Sequence, residues 1–182
     1  MSAVEEQIGL PLIYREGISL YRLSVAQYHA MIQHGLLTSD DKVELIEGLL
    51  IPKMPKNPPD RICNERLGRA IRKMDLGQWS FQKQEPITLL FSEPEPDGSI
   101  FAGVTEDYEL GHPQAADVAV VMEVSDSTLH CDRSLKLRDY ARSNIPFYWI
   151  INLIDRRIEV YSQPDATGDE PLYRTQKVYG PA

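Results

Sequence analysis

Apolar residues recur along this chain at two spacings, one typical of helices and the other of strands. Helical spacing occurs in three segments, each bounded by residues that commonly begin or end helices. The first predicted helix is Ser24 to Gly35 and the third is Asp132 to Ser143. The second is capped by Asp60, and its apolar face consists of Cys63, Leu67, Ala70, Ile71 and Met74. We expect the apolar faces of these helices to pack on a sheet.

Short apolar runs between turn residues predict strands in the rest of the chain. They are Val43 to Glu47 and Leu49 to Pro52 as a hairpin at Gly48, Trp79 to Gln82, Pro86 to Phe91, a piece after Asp97, the run from Asp117 to Val124, Phe147 to Asn152, Arg157 to Ser162, and a final edge strand Leu172 to Tyr179. This order predicts an α/β or α+β fold with a mixed central sheet flanked by helices. We expect one domain over residues 1–182, with a core of about 20–162 and a C-terminal extension at 163–182.

Composition adds the class of protein to this picture. With 42% hydrophobic and 25% charged residues, the 182-residue chain resembles an ordinary globular domain. No apolar run reaches the roughly 20 residues that a membrane span needs, and the N-terminus lacks the features of a signal peptide, so a cytoplasmic location is expected. Cys63 and Cys131 lack a CxxC spacing and are expected to be free thiols that pack in or near the core.

The net charge of −8 bears on possible partners. It argues against non-specific coating of nucleic acid, which usually requires a basic surface, although a local basic face remains compatible with it. A divalent metal ion held by clustered carboxylates would let an acidic protein approach a phosphate, because the ion reverses the local charge.

An acidic residue interrupts the most apolar run of the chain. In the segment VAVVMEVSDS, Glu123 shares a strand face with Val121 and Ser125, because alternate residues of a strand point to the same side. An unpaired carboxylate buried in this way costs several kcal/mol. Glu123 is therefore expected to be ion-paired, protonated, hydrogen-bonded or bound to a metal ion.

A second carboxylate precedes the first by 26 positions, in a Pro-Asp-Gly turn. Taken alone, Asp97 is typical of an aspartate that caps its own turn. Taken together with Glu123, Asp97 indicates two adjacent strands whose ends bring the two carboxylates close to each other. Paired carboxylates suit Mg²⁺ or Mn²⁺, which prefer hard oxygen ligands.

Phosphate chemistry at such a metal site also needs a cationic group. The position two residues after Glu123 is Ser125, but the following helix carries Asp132, Lys136 and Tyr140 at a spacing of four. That spacing places the three side chains on one helix face, from which Lys136 could reach back to the strand end. The alternative is an exposed Asp-Lys pair on the helix surface.

These segments together resemble a known family. The motifs that carry the resemblance are EPD at Asp97, VELIEGLL upstream, and the run from Asp117 to Tyr161 that contains MEVSDS. They are similar to the Uma family of restriction-type endonucleases, within the PD-(D/E)xK nuclease superfamily, and the resemblance spans about Leu20 to Tyr161. One departure is Arg61, which stands where similar sequences often have a histidine.

The resemblance implies a restriction-endonuclease-like fold and Mg²⁺-dependent or Mn²⁺-dependent hydrolysis of phosphodiester bonds in DNA. It assigns Asp97 to the aspartate of the PD motif, Glu123 to the acidic residue of the second motif, and Lys136 to a lysine that has moved onto the helix. Glu44 matches the N-terminal glutamate of the family and is a possible further metal ligand. The apolar FYWII segment and the last strand suggest a homodimer.

Two other functions stay open on the sequence alone. A nuclease fold that no longer cuts could serve as a nucleic-acid-binding or assembly module, in keeping with the acidic net charge. In a plain scaffold protein, Asp97 would be a turn residue and Glu123 a salt-bridged one. Metal binding measured together with plasmid nicking separates these alternatives from an active nuclease.

Overall fold

The computed structural model describes residues 19–55, 57–168 and 170–181. The helices are α1 (Val25–Gln33), α2 (Pro58–Ile71), α3 (Leu129–Cys131) and α4 (Leu137–Arg142), with a π-helical turn (Asp132–Lys136) joining the last two. The strands are β1 (Val43–Ile46), β2 (Leu49–Pro52), β3 (Trp79–Gln82), β4 (Gly98–Ala102), β5 (Val118–Ser125), β6 (Phe147–Asn152), β7 (Arg157–Asp165) and β8 (Leu172–Tyr179). Short 3₁₀ turns occupy Ser39–Asp41, Thr105–Tyr108 and Ala115–Asp117.

Six strands form one sheet in the order β3-β4-β5-β6-β7-β8. Neighbouring strands are antiparallel except β5 and β6, which are parallel because a helical crossover connects them. The hairpin of β1 and β2 lies apart from this sheet. The predicted α+β class with a mixed central sheet and flanking helices is confirmed. Strand β8 belongs to the segment that the sequence assigned to the C-terminal extension, and it pairs with β7.

Strand β5 is apolar on both faces because both faces of the sheet are covered. Val121 packs in a cluster with Tyr140 of α4 and Tyr148 of β6, whereas Met122 packs on the opposite face against Ile71 of α2. Residues that alternate along the strand therefore meet different layers. The side chain of Glu123, on the same face as Val121, points towards the crossover helices.

The hairpin of β1 and β2 is present as predicted, with a tight turn at Glu47 and Gly48. Both residues have positive φ, 47° and 77°, as a two-residue hairpin turn of type I′ requires. A Cβ on Gly48 would lie 2.7 Å from Cβ of Arg22 and 2.9 Å from the backbone oxygen of Leu23. The position therefore requires glycine for both conformation and space.

The start of α2 differs from the prediction. Asn57, and not Asp60, is the N-cap, and Pro58 occupies the first helical turn, where its missing N–H is harmless. The Asn57 side chain accepts from the Asp60 backbone N–H at 3.0 Å, and the Asp60 carboxylate accepts from the Asn57 N–H at 3.2 Å. The two residues form a capping box in which Asp60 has the partner's role.

The buried face of α2 is also only partly as predicted. Ile71 is buried, but Ala70 and Met74 are exposed, and the face that meets the sheet includes the polar Asn64 and the small Gly68. At Gly68 the helix lies close to β3, since a Cβ there would be in ordinary contact with the side chains of Arg72, Phe81 and Lys83. Asn64 and Gly68 were not in the predicted buried face, because that prediction counted only apolar side chains.

The prediction of a strand from Pro86 to Phe91 is wrong. Within this segment the structure contains a single bridge, between Thr88 and Gln114. The chain instead folds back on itself, so that the Ile87 N–H donates to the Pro94 carbonyl and the Leu89 N–H to the Ser92 carbonyl. The apolar alternation reflects burial of Ile87 and Leu89 in the core, without a strand partner.

The third predicted helix begins earlier than Asp132. Helical backbone runs from Leu129 to Arg142, and its central turn is widened to π geometry. It ends as expected before Pro146, with Asn144 in the left-handed region at φ 56°. The whole segment is the crossover between β5 and β6.

Two expectations from composition also have an outcome. Cys63 and Cys131 are both free and half-buried, as predicted. In the part of the chain that the structure describes, no helix has the length and apolar character needed to cross a membrane.

Candidate active site

A cavity of about 410 Å³ opens between the β1-β2 hairpin, α2, the end of β5 and the π-helical turn. Its acidic lining residues are Glu44, Asp60, Glu95, Asp97, Glu123 and Asp132, and its lysines are Lys53 and Lys136. The structure therefore brings all four predicted site residues, which are far apart in sequence, to one cavity.

Glu123 is 5% exposed and lies near the C-terminal end of β5. Its Oε1 accepts hydrogen bonds from the Lys136 ammonium and from the Tyr140 hydroxyl, both at 2.9 Å. Burial raises the pKa of Glu123 to about 8. The positive charge of Lys136 opposes this rise, whereas the negative charges of Asp132, Asp97 and Glu44 add to it. Because the pKa stays near 8 even with Lys136 in place, Glu123 needs a further positive charge in the cavity to be fully ionised at neutral pH.

Lys136 supplies the cation nearest to Glu123. Its Nζ also lies 3.4 Å from Oε1 of Glu44, and its side chain is 12% exposed. Burial alone would lower the pKa of Lys136, but Glu123 and Glu44 outweigh it and leave the pKa well above the ordinary value. The lysine therefore stays charged and bridges two carboxylates.

Asp97 lies just before β4 and is 8% exposed. Its Oδ1 accepts from Nδ2 of Asn64 at 2.9 Å and from Nε2 of Gln84 at 3.2 Å, and its Oδ2 accepts from the Val124 backbone N–H at 2.9 Å. These bonds tie the aspartate to α2 and to β5. Val124 follows Glu123, so Asp97 is held beside the strand end that carries the glutamate.

Glu44 approaches the cavity from β1. It is 7% exposed, and its Oε2 accepts from the Glu95 backbone N–H at 3.2 Å. Its other carboxylate oxygen faces Lys136. The hairpin thus contributes one carboxylate to a group whose other members come from the sheet and from the crossover helices.

Ser125, two residues after Glu123, helps to attach the segment that carries Lys136 to the end of β5. The Ser125 hydroxyl donates to Oδ2 of Asp132 at 2.7 Å, and the Thr128 hydroxyl donates to the same oxygen at 2.7 Å. These bonds join the start of the π-helical turn to the end of β5. The turn then carries Lys136 back over the strand face that holds Glu123.

A second carboxylate, on the interior strand β7, holds the same π-helical turn. Glu159 of β7 is fully buried and accepts hydrogen bonds from Arg133, Arg157, Asn152 and Tyr161. The bond from Nε of Arg133 is 3.0 Å long and the bond from the Asn152 amide is 2.9 Å long. Burial would raise the pKa of Glu159, but these hydrogen bonds lower it to about 2. Arg133 therefore anchors the π-helical turn to β7.

Sequence reasoning missed Asn64 and Gln84, the two amides that hold Asp97. Asn64 could have been found, because it recurs with Gly68 and Ile71 at helical spacing and is the polar member of that face. Gln84 has a left-handed backbone, φ 57°, in an irregular segment, and carries no comparable signal.

The donor chemistry of the cavity fits a hard divalent cation. Carboxylate oxygens of Glu44, Asp97 and Glu123 are the ligands that Mg²⁺ and Mn²⁺ prefer. Over the described residues, no group of three or more His, Cys, Asp and Glu side chains is already drawn together as a metal site. Instead the ammonium of Lys136 stands between Glu44 and Glu123. Several carboxylates face the cavity with few cations, so a further positive charge there is electrostatically favourable.

Comparisons with known proteins agree with this fold. A family model described as "Uma2: Putative restriction endonuclease" matches residues 25–181. Among solved structures, "a putative nuclease belonging to DUF820" from Anabaena variabilis ATCC 29413 is similar with a TM-score of 0.58 and 14% identity, over 82% of each chain. A search of curated proteins gives no match. At this identity the solved structure indicates a shared fold, and the family match covers most of the sequence.

Proposed function

The chain belongs to the Uma2 family, and we propose from this premise that it is a metal-dependent endonuclease that hydrolyses phosphodiester bonds in DNA. The observation that carries the proposal is the buried Glu123, which faces a cavity together with Asp97, Glu44 and the largely covered Lys136. A scaffold protein would gain no stability from gathering carboxylates in this way, since burying them is costly.

Asp97, Glu123 and Glu44 are the residues that we propose to hold Mg²⁺ or Mn²⁺. When bound, such an ion neutralises phosphate charge and lowers the pKa of a coordinated water. The hydrogen bonds from Asn64 and from the Val124 N–H to Asp97 fix that carboxylate, as surrounding polar groups commonly fix metal ligands.

Lys136 is the residue that we propose to act on the reacting groups. Its ammonium would orient the attacking water and stabilise the negative charge that develops on the phosphate in the transition state. Tyr140, which donates to the same oxygen of Glu123 as Lys136 does, would keep that carboxylate in place. Asp132 would hold the turn that carries the lysine.

Metal binding and cleavage measured on the same samples test this function. We expect Mn²⁺ titrated into the wild type in a calorimeter to bind, and the protein to nick supercoiled plasmid with Mg²⁺ or Mn²⁺. Glu123→Gln and Asp97→Asn keep the side-chain shapes but remove a ligand charge, so Mn²⁺ affinity should fall about 100-fold and nicking should disappear. Glu109→Gln, which removes an exposed carboxylate, is the matched control and should change neither quantity.

The other outcomes decide between the remaining functions. Mn²⁺ binding without nicking by the wild type would contradict the nuclease and favour an inactive nucleic-acid-binding or assembly module. Absence of Mn²⁺ binding to the wild type would return Glu123 to the role of a salt-bridged residue whose partner is Lys136.

A homodimer is the proposed assembly, and β8 is its proposed interface. The FYWII segment lies in β6 between two other strands, so it offers no free edge. Strand β8 ends the sheet and exposes Leu172, Val178 and Tyr179. Unpaired strand edges with apolar side chains favour association with another strand.

Light scattering at micromolar concentration tests the dimer. We expect twice the chain mass for the wild type and for Leu110→Lys, which places a charge on a fully exposed side chain away from β8. Val178→Lys should give the monomer mass, because a lysine on the strand edge opposes pairing. A monomeric wild type would contradict the proposal.

A further inference from the structure

Helix α2 and the residues that follow it form a basic surface on an otherwise acidic protein. Five cationic residues lie between positions 58 and 73, against two acidic ones, whereas the whole chain has a net charge of −8. The cations, all exposed, are Arg61, Arg66, Arg69, Arg72 and Lys73. The opposite face of the helix carries Asn64, Gly68 and Ile71 against the sheet.

Three of these cations stand in one row. Arg66, Arg69 and Lys73 follow each other at spacings of three and four, and together with Ala70 they line one shallow concavity. None of the three forms an ion pair with an acidic side chain of the described residues. Arg72 differs, since its guanidinium lies over the ring of Phe81, 5.6 Å from the centroid. The row is about 10 Å long at 1.5 Å per residue.

The basic surface adjoins the candidate active site. A second concavity is lined by Arg61 and Lys83 together with Asn64 and Gln84. Asn64 and Gln84 also line the acidic cavity, where both donate to Asp97. A nucleic acid whose scissile phosphate lay in the cavity would therefore extend past Asn64 and Gln84 to the cations of α2.

We propose that four cations of this basic surface, Arg61, Arg66, Arg69 and Lys73, bind the phosphate backbone of duplex DNA beside the bond held in the cavity. The proposal rests on the nuclease function proposed above. A row of about 10 Å matches about three phosphate-to-phosphate intervals of one strand, each about 3.4 Å along the duplex axis. Single strands are usually held by exposed aromatic rings, and the described residues of this surface present none.

The salt dependence of DNA binding tests the assignment. Fluorescence anisotropy with a short labelled duplex, and Ca²⁺ as the divalent cation, measures affinity separately from cleavage. For the triple variant Arg66→Gln, Arg69→Gln and Lys73→Gln, the slope of log affinity against log salt should become shallower by about 2.7, since each phosphate contact contributes about 0.9. The single variant Lys73→Gln should change the slope by about 0.9.

A second triple variant is the control for total charge. Lys42→Gln, Arg138→Gln and Arg156→Gln remove three exposed cations that line neither basic concavity and lie outside β8, and should leave the slope unchanged. An equal change in both triple variants would overturn the proposal, as would a wild type that does not bind duplex DNA. Tighter binding of single-stranded DNA or duplex RNA would overturn the choice of duplex DNA.

The two proposals fail in distinguishable ways. A selective change of slope in a protein that does not nick plasmid would support the DNA surface and contradict the nuclease. A protein that nicks plasmid, but whose α2 variants bind like the wild type, would contradict the DNA surface and leave the nuclease standing. Every variant should unfold thermally at the same temperature as the wild type. This measurement ensures that the binding differences arise in folded proteins.

Discussion

Replacing Lys136 with methionine is expected to reduce plasmid nicking by about 10³-fold, even when Mn²⁺ saturates the protein. The ammonium is 2.9 Å from Glu123 and 3.4 Å from Glu44, and it is the cation closest to both carboxylates. Methionine keeps the length of the side chain but removes the charge. If Lys136 stabilises charge on the phosphate, no other described side chain in contact with Glu123 replaces it.

Metal affinity separates this role from simple charge balance. Loss of the positive charge should leave Mn²⁺ affinity unchanged or increase it, because the carboxylates then face the ion without competition. If Lys136 only neutralised Glu44 and Glu123, bound Mn²⁺ would replace it and nicking would recover, which would contradict the proposed role. Arg138→Met removes an exposed cation from α4 and should retain both properties.

Replacing Glu159 with glutamine is expected to lower the free energy of unfolding at neutral pH by about 3 kcal/mol. The carboxylate is fully buried and pairs with Arg133 and Arg157. Glutamine removes this buried counter-charge and leaves the two guanidinium groups only the exposed carboxylate of Asp155. Arg133 lies in the π-helical turn and Arg157 begins β7. Urea unfolding at neutral pH measures the loss.

The pH dependence of this difference follows from the pKa of Glu159, which the folded protein lowers from an ordinary 4.5 to about 2. A carboxyl whose folded pKa is lowered contributes stability that is complete above its unfolded pKa. That contribution decreases as the pH falls from 4.5 towards 2. The gap in unfolding free energy between wild type and Glu159→Gln should therefore be largest above pH 4.5 and narrow below it.

The same unfolding series with Glu109→Gln provides the control, since that exposed carboxylate should give no gap at any pH. A gap for Glu159→Gln that stayed constant from neutral pH to the acid limit of folding would contradict a carboxylate of lowered pKa. It would indicate that packing, and not charge, determines the stability of this part of β7.

The sequence predicted most of the sheet because its strands obey local rules. The run that became β5 is continuously apolar, as a strand covered on both faces should be, and Glu123 stood out against it. Asp97 carried the signal of a turn. Their approach to one another required adjacent strands, and β4 and β5 are adjacent in the structure.

The features that the sequence did not reveal depend on contacts between distant segments. Pro86 to Phe91 has the alternation of a strand, but its apolar side chains are buried in a folded-back loop. Asn57 was not distinguished from Asp60 as the cap, because both residues are good caps and only the backbone decides. The polar contact between Asn64 and Asp97 joins a helix to a turn 33 positions away, beyond any local pattern.

The π-helical turn between Asp132 and Lys136 has a consequence for how related chains are aligned. A π turn holds one residue more than the α-helix it interrupts, and side chains beyond it are rotated by about 100° for each residue gained or lost. A relative without the extra residue would present its lysine to β5 from a position shifted by one in sequence. Matching the glutamate and the lysine across such relatives therefore requires a one-residue gap inside the helix.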